Sequence, residues 1–180
     1  MTKTHTTNVA TFRTPTLGPI GLVTKNRILF LQELLETKRL DISAVNGTIP
    51  IVKAYAGMQG DLLEAIAHTK VDGLVIEALG AGNLPPQALA ALEKLLVQKI
   101  PVVLVSRCFN GIAEPVYDYE GGGKELEKMG IIFCNSINSQ KARLKLLIAV
   151  NYGLSGEELI SFIQNLSLIH ISEPTRPERI

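Results

Sequence analysis

The composition of this chain is that of an ordinary folded protein. Its 180 residues are 46% hydrophobic and 19% charged, and the formal net charge is +1. Intrinsic disorder requires low hydrophobicity with high net charge, and a nucleic-acid groove requires a basic surface, so both classes are excluded. Tryptophan is absent and aromatic residues make up 5%, so the core must consist of Leu, Ile, Val and Ala, which favours parallel strands covered by helices.

The first 40 residues are predicted to contain a β-hairpin. They begin with the Thr-rich stretch MTKTHTTNVA, which has no hydrophobic segment of the signal-peptide kind. In the following GPIGLVTKNRILFLQ, short apolar runs flank Lys25 and Asn26, which predicts two strands joined by a turn at those residues. No apolar run in the chain approaches the roughly 20 residues that span a bilayer, so no membrane segment is predicted.

From residue 49 onward, β-branched apolar runs alternate with amphipathic helical segments. The predicted strands are IPIVKAY, DGLVIEAL, IPVVLVSR and GIIFC, and the predicted helices are GDLLEAIAHT, PPQALAALEKLLVQK, NSQKARLKLLIAVNYG and SGEELISFIQ. Such alternation predicts right-handed crossovers and a parallel sheet. The predicted fold is α/β, a small three-layer domain with a four-stranded parallel sheet, preceded by the hairpin segment.

Helical spacing and end signals add detail to this fold. Gly153 is the predicted C-cap of the third helix, and Ser155 the predicted N-cap of the last.

Cys108 and Cys134 each follow an apolar run and lack the paired spacing of a metal or redox site, so both are interpreted as buried thiols. The side chains predicted to face the core are Leu62, Leu63, Ile66, Leu89, Leu92, Leu95, Leu96, Leu144, Leu147 and Ile148.

In a parallel α/β sheet, ligands bind beyond the carboxyl ends of the strands, so the loops at that edge form the candidate site. The loop ALGAGNLPP contains Gly80, Gly82 and Asn83. The two glycines permit a close backbone approach to a ligand, and the Asn83 amide can both donate and accept hydrogen bonds. The alternative is an ordinary strand-to-helix turn in which Asn83 caps the helix.

A second glycine-rich stretch, YDYEGGGKELEKMG, surrounds three consecutive glycines with Asp118, Glu120, Lys124 and Glu125. It lacks the Lys-Ser/Thr pair of a phosphate-binding P-loop, so a flexible loop is predicted. The three histidines of the chain have no metal-ligand spacing, and no metal site is predicted.

Several motifs, in order along the chain, resemble the bacterial L-asparaginase family. They are TKTHTTNVATF followed by GPIGLV, the loop GAGNLPP, the strand end VSR, and NSQKAR at the start of a helix. Family members are two-domain amidohydrolases, and the resemblance begins near the end of the larger N-terminal domain. It implies that residues 1–40 belong to the end of that domain and an interdomain hairpin, that residues 41–165 form the C-terminal α/β domain, and that the chain is a fragment.

The resemblance also implies roles for particular residues. In the family, a Thr nucleophile in a TGGTI-like stretch acts with a Thr-Asp-Lys triad, and no cofactor takes part. The chain contains neither TGGTI nor GTDT, and Lys3 corresponds to the triad lysine, so the chain alone is expected to be inactive. Asn83 corresponds to the asparagine that reaches the substrate of a neighbouring subunit. Asp118 or Glu120 corresponds to the acidic residue that helps to hold the substrate amino group there.

The expected function is therefore that of an amidohydrolase fragment whose parent converts L-asparagine to L-aspartate and ammonia as a homo-oligomer, either a dimer or a tetramer. A preference for L-glutamine and a cytoplasmic or periplasmic location remain open. The resemblance extends to the archaeal glutamyl-tRNA amidotransferase component that releases ammonia with the same fold, which is the second enzymatic alternative. The third alternative is a non-enzymatic α/β ligand-binding or interaction module. No nucleic-acid or membrane partner is predicted.

The last segment of the chain, residues 166–180, has the sequence LSLIHISEPTRPERI, without a helical or strand period. Its LSLIHISEPTR portion resembles the conceptual translation of a transposon-end adaptor used in sequencing libraries. We therefore expect residues 166–180 to be foreign to the fold and mobile, with a disordered tail that carries a binding motif as the alternative.

Overall fold

The computed structural model describes residues 2–14, 18–32, 40–135 and 137–164. These residues fall into two units, one composed of residues 2–14 and 18–32 and the other of residues 40–135 and 137–164. The expectations for residues 166–180 lie outside the described residues. Of the helices in the described ranges, none is both long and apolar enough to cross a bilayer.

The first unit contains two antiparallel hairpins. One pairs β1 (Thr2–Lys3) with β2 (Phe12–Arg13), and the other pairs β3 (Gly21–Val23) with β4 (Ile28–Phe30). The β3–β4 hairpin is the predicted one, and the Thr24 N–H donates to the Arg27 carbonyl oxygen at 2.9 Å across its turn. The β1–β2 hairpin was not predicted, because strands of two residues are too short for alternation to be visible.

The second unit contains the predicted four-stranded parallel sheet, in the order β5–β6–β7–β8. In register, Val52 lies beside Ile76, Ile76 beside Leu104, and Leu104 beside Phe133. The two central strands are almost wholly buried on both faces, which explains why they appear in the sequence as continuous apolar runs. The four strands are β5 (Ile51–Lys53), β6 (Leu74–Ala78), β7 (Val102–Ser106) and β8 (Ile132–Phe133).

Helices cover both faces of this sheet, so the unit has the predicted three layers. One face packs against α1 (Asp61–Ala67), α2 (Leu89–Val97) and α3 (Gly123–Lys128). The other face packs against α4 (Ser139–Tyr152) and α5 (Gly156–Gln164). A 3-10 turn at Pro86–Ala88 precedes α2. Full burial of an aliphatic side chain stabilises the fold by about 1.5–3 kcal/mol, so these two interfaces hold the unit together.

Helix α3 corrects the interpretation of YDYEGGGKELEKMG as a flexible loop, because Gly123–Lys128 is helical. Glycine has a low helix propensity, and a segment of six residues shows too little periodicity for the sequence to indicate a helix. Tertiary packing decides the conformation instead: Leu126 is fully buried in the core between α3 and the sheet.

Two leucines predicted to face the core are exposed. Leu62 is 49% exposed and Leu144 is 52% exposed, so the prediction is wrong for both. In α1 the buried stripe runs through Leu63 and Ala67, four residues apart, which leaves Leu62 on the side of the helix. The C-cap prediction is confirmed: Gly153 has φ +90° in the left-handed region, and its N–H donates to the carbonyl oxygens of the last helical turn.

The two cysteines occupy opposite environments. Cys134 is buried and Cys108 is exposed, so the prediction of two buried thiols is wrong for Cys108. The reason is that β7 ends at Ser106, two residues before Cys108, which therefore lies in the loop beyond the sheet. Burial raises the pKa of the Cys134 thiol from its ordinary value of 9.0 to about 11.

This contrast predicts that one thiol of the native chain reacts rapidly with dithionitrobenzoate at pH 8. Only thiolates react, and a thiol with a pKa near 11 is about 0.1% ionised at that pH, in addition to being shielded by the core. Cys108→Ser should abolish the fast phase, whereas Cys134→Ser should leave it unchanged and remove the thiol that appears in denaturant. A fast phase that survives in Cys108→Ser would contradict the assignment.

Candidate functional site

Two loops meet at the carboxyl edge of the sheet. They are residues 79–85, which follow β6, and residues 107–122, which follow β7. The Glu114 N–H donates to the Ala81 carbonyl oxygen at 2.8 Å, and the Leu84 N–H donates to the Gly121 carbonyl oxygen at 2.9 Å. The two loops therefore form one surface, at the position where parallel α/β sheets bind ligands.

Asn83 lies in a tight turn of the first of these loops. The backbone N–H groups of Asn83 and Leu79 each donate to the other residue's carbonyl oxygen at 2.9 Å. Gly82 has φ +119°, and an added Cβ there would lie 2.7 Å from the Phe133 ring. Gly82 thus allows the turn to lie directly on the end of the sheet, which holds the half-buried Asn83 side chain in a fixed place.

The alternative role of Asn83 as a cap of the following helix is wrong. The 3-10 turn and α2 begin after Pro85 and Ala88, and neither has a side-chain cap. The Oδ1 atom of Asn83 instead accepts a hydrogen bond at 3.3 Å from the backbone N–H of Gly123, the first residue of α3. The side chain therefore connects the loop after β6 to the start of α3.

At the glycine triplet, neighbouring backbones approach so closely that no side chain fits between them. An added Cβ at Gly121 would overlap the Leu84 carbonyl oxygen. At Gly122 it would lie 2.6 Å from the Tyr117 carbonyl oxygen, and at Gly123 it would lie 2.8 Å from a backbone carbon. The three glycines are thus required by close packing of main chains.

Asp118 and Glu120 lie in the segment immediately before this triplet. The Asp118 carboxylate is exposed and lies 3.7 Å from Lys124 Nζ and 4.0 Å from Lys128 Nζ. Glu120 is also exposed and, within the described ranges, forms no ion pair. Because Gly121 is bonded to Leu84, the two acids and Asn83 belong to the same edge of the sheet.

Lys3 belongs to the first unit, where it lies exposed on β1 opposite Phe12. The Thr-rich stretch around it forms a compact loop: Thr4 donates from its N–H and its hydroxyl to the Thr11 carbonyl oxygen, at 2.9 and 2.8 Å. The buried Thr11 hydroxyl in turn donates to the His5 carbonyl oxygen at 2.6 Å. These bonds fix the backbone immediately after Lys3.

A polar group that was not predicted lies where β5, β6 and α4 meet. The largely buried Glu77 carboxylate accepts a hydrogen bond from the buried Ser139 hydroxyl at 2.5 Å and lies 3.1 Å from Lys53 Nζ. The signal for it was a single charge in the otherwise apolar strand LVIEA. Its contacts tie the first turn of α4 to the sheet. Across the described ranges, no group of three His, Cys, Asp or Glu side chains could hold a metal ion.

Comparison with known proteins agrees with this geometry. The family model of the glutaminase/asparaginase C-terminal domain matches residues 48–162. The chain is 30% identical over 146 residues to the L-asparaginase of Bacillus licheniformis, covering 81% of the chain and 45% of that protein. It is 46% identical over 114 residues to a protein described as a probable L-asparaginase from Deinococcus radiodurans, covering 62% of the chain and 33% of that protein.

Two further comparisons concern the second enzymatic alternative and the fold. The chain is 29% identical over 150 residues to a glutamyl-tRNA(Gln) amidotransferase component of Methanobrevibacter smithii, covering 80% of the chain and 34% of that protein. The solved structure of a probable cytoplasmic L-asparaginase from Campylobacter jejuni aligns with a TM-score of 0.76 at 25% identity, covering 90% of this chain and 52% of that one. The chain thus spans about half, or less, of the length of these relatives, and it belongs to the glutaminase/asparaginase family, of which it carries the C-terminal domain.

Proposed function

We propose that this chain supplies the C-terminal domain of an L-asparagine amidohydrolase and that Asn83 completes the active site of a neighbouring subunit. The observation that carries the proposal is the placement of Asn83, which a tight turn and the Gly123 N–H hold at the carboxyl edge of a family domain. In the intact homo-oligomer, a Thr hydroxyl attacks the substrate carboxamide, ammonia leaves, and water hydrolyses the acyl-enzyme. No cofactor is needed for these steps.

Lys3 is the contribution of the first unit to this chemistry. We assign it to the triad, and the hydrogen bonds of Thr4 and Thr11 support that role because they fix the backbone that carries it. The nucleophilic Thr and the Thr-Asp pair have no counterpart in the 180 residues, so the chain by itself is inactive. Under this proposal, residues 1–40 form the end of the N-terminal domain and an interdomain hairpin, and residues 41–165 form the C-terminal domain.

Glu120 is a better candidate than Asp118 for the acid that binds the substrate amino group. The Asp118 carboxylate already lies near two lysine side chains, whereas Glu120 forms no ion pair among the described residues. A carboxylate without an internal cation is more available to a substrate ammonium.

Transfer of ammonia to glutamyl-tRNA is the second candidate function, favoured by the similarity to the archaeal amidotransferase component. The two functions differ in the fate of the ammonia, which an amidohydrolase releases into solution and an amidotransferase transfers to glutamyl-tRNA. Measuring conversion of glutamyl-tRNA to glutaminyl-tRNA alongside free ammonia release separates them.

The proposal is tested in a fusion that places the unmatched N-terminal portion of the Bacillus licheniformis enzyme ahead of Thr2. In this fusion Asn83→Ala removes a hydrogen bond to a buried polar ligand, which is worth roughly 1–3 kcal/mol, so kcat/KM should fall about 5- to 150-fold. Ammonia release and the unfolding midpoint are measured on the same samples. If kcat/KM is unchanged while the midpoint falls, Asn83 has only a structural role.

A further inference from the structure

The outer side of α4 carries an apolar stripe that the sheet does not bury. Leu144 is 52% exposed, Tyr152 is 48% exposed, and Ile148, midway between them, is only half-buried. The three residues are spaced four apart, so they lie on one side of the helix, opposite the buried Ala142 and Leu146. A surface helix normally has a single apolar stripe, directed at the core, so a second stripe on its outer side indicates contact with another surface.

The charges beside the stripe are divided by sign. All the charged residues of α4 are bases, Lys141, Arg143 and Lys145, and they lie in its first half. Helix α5, which follows directly, contains no base and begins with two exposed acids, Glu157 and Glu158. One end of this surface is therefore basic and the other end is acidic. We define the α4 face as Lys141, Leu144, Ile148, Tyr152 and Glu157.

We infer that the α4 face binds the α4 face of a second copy of the chain, with the two α4 helices antiparallel across a two-fold axis at Ile148. A two-fold contact requires a surface that is complementary to itself. Leu144 and Tyr152 lie about 6 Å along the helix on either side of Ile148, so Leu144 packs against the partner's Tyr152. Lys141 lies seven residues before Ile148 and α5 begins eight residues after it, so the same rotation brings Lys141 to the acidic start of the partner's α5.

This contact is separate from the contact proposed for Asn83. Asn83 lies in the loop after β6 and is proposed to reach a neighbour's active site, whose nucleophilic stretches have no counterpart in the 180 residues. Self-association of the 180-residue chain can therefore be measured without that contact. In the intact parent, two different two-fold contacts build a tetramer, so the inference selects the tetramer over the dimer and rests on the proposed function for that step alone.

Leu144→Glu in the 180-residue chain tests the apolar part of the contact. Sedimentation equilibrium under reducing conditions, which prevent the exposed Cys108 from cross-linking copies, should show a dimer for the native chain. In Leu144→Glu the Kd of the dimer should rise at least about tenfold, because each dimer would bury the new carboxylate twice. Leu62→Glu is the matched control. Leu62 is 49% exposed on α1, which covers the other face of the sheet, so this change should leave Kd within about twofold.

A charge exchange tests the antiparallel arrangement. Lys141→Glu and Glu157→Lys should each raise Kd, because each change places like charges opposite one another across the two-fold axis. The double variant restores opposite charges at both ends, and its Kd should return toward the native value. A double variant that associates no more tightly than either single variant would overturn the antiparallel arrangement.

Two further results would overturn the inference as a whole. One is a native chain that stays monomeric at every concentration, and the other is a dimer that Leu144→Glu and Leu62→Glu weaken equally. If the chain is monomeric and Leu144→Glu lowers the unfolding midpoint of the fusion enzyme, the N-terminal portion covers the stripe and the second copy is excluded. The dimer measurement does not depend on hydrolysis, so an inactive fusion would count against the proposed function only.

Discussion

The purified 180-residue chain is expected to release no ammonia from L-asparagine above the background of the buffer. It carries Lys3 but neither of the stretches that supply the nucleophilic Thr and the Thr-Asp pair. In hydrolases that act through a nucleophile and its activating partners, loss of the nucleophile lowers kcat by up to about 10⁶, because the covalent step disappears while binding contacts remain. A lysine without those partners cannot replace that step.

The comparison is made with the fusion described above, which restores the missing segments ahead of Thr2 and should hydrolyse L-asparagine. Lys3→Ala in the fusion should then lower activity, whereas the same change in the isolated chain should have no effect. Ammonia release by the isolated chain that persists through purification and disappears in Lys3→Ala would refute the expectation. An enzyme-coupled ammonia assay with L-asparagine and L-glutamine gives both results together.

The sheet could be predicted from the sequence because its strands are buried on both faces. A short continuous apolar run such as VVLVS in β7 is typical of a strand buried on both faces. The amphipathic helical pattern of the segments before and after it supports that assignment. Helix α3 could not be predicted, since its conformation depends on the burial of one residue, Leu126, by distant parts of the chain. The low helix propensity of Gly123, and of the two glycines that precede the helix, indicates a non-helical conformation instead.

The candidate site was predictable in its location and not in its contacts. Position at the carboxyl edge follows from topology, so Asn83 and the acids of the next loop could be expected to share that edge. The partner of the Asn83 side chain is the Gly123 N–H, 40 residues further along the chain, and no local pattern specifies such a contact. For the same reason the sequence could not indicate that Glu77 pairs with Ser139, 62 residues away. It shows only a charged residue within an otherwise apolar strand.

Gly121→Ala should destabilise the chain by about 2–5 kcal/mol, which corresponds to a fall of roughly 8–20 °C in the unfolding midpoint for a unit of this size. This destabilisation has a conformational and a steric part. Gly121 has φ +80°, a conformation that costs a residue with a Cβ about 1–2 kcal/mol. The new Cβ would also overlap the Leu84 carbonyl oxygen, and separating the two backbones costs about 1–3 kcal/mol more.

Gly111→Ala is the matched control, because it separates the steric term from the conformational one. Gly111 lies in the same loop with φ +109°, and an added Cβ there would meet nothing within 4 Å. Both substitutions restrict the unfolded chain equally, so that contribution cancels in the difference between them. Gly111→Ala should therefore cost about 1–2 kcal/mol, and the remaining destabilisation in Gly121→Ala measures the contact between Gly121 and Leu84. Equal midpoints for the two variants would mean that the loops after β6 and β7 are not packed against each other, and the fixed placement of Asn83 would lose its structural basis.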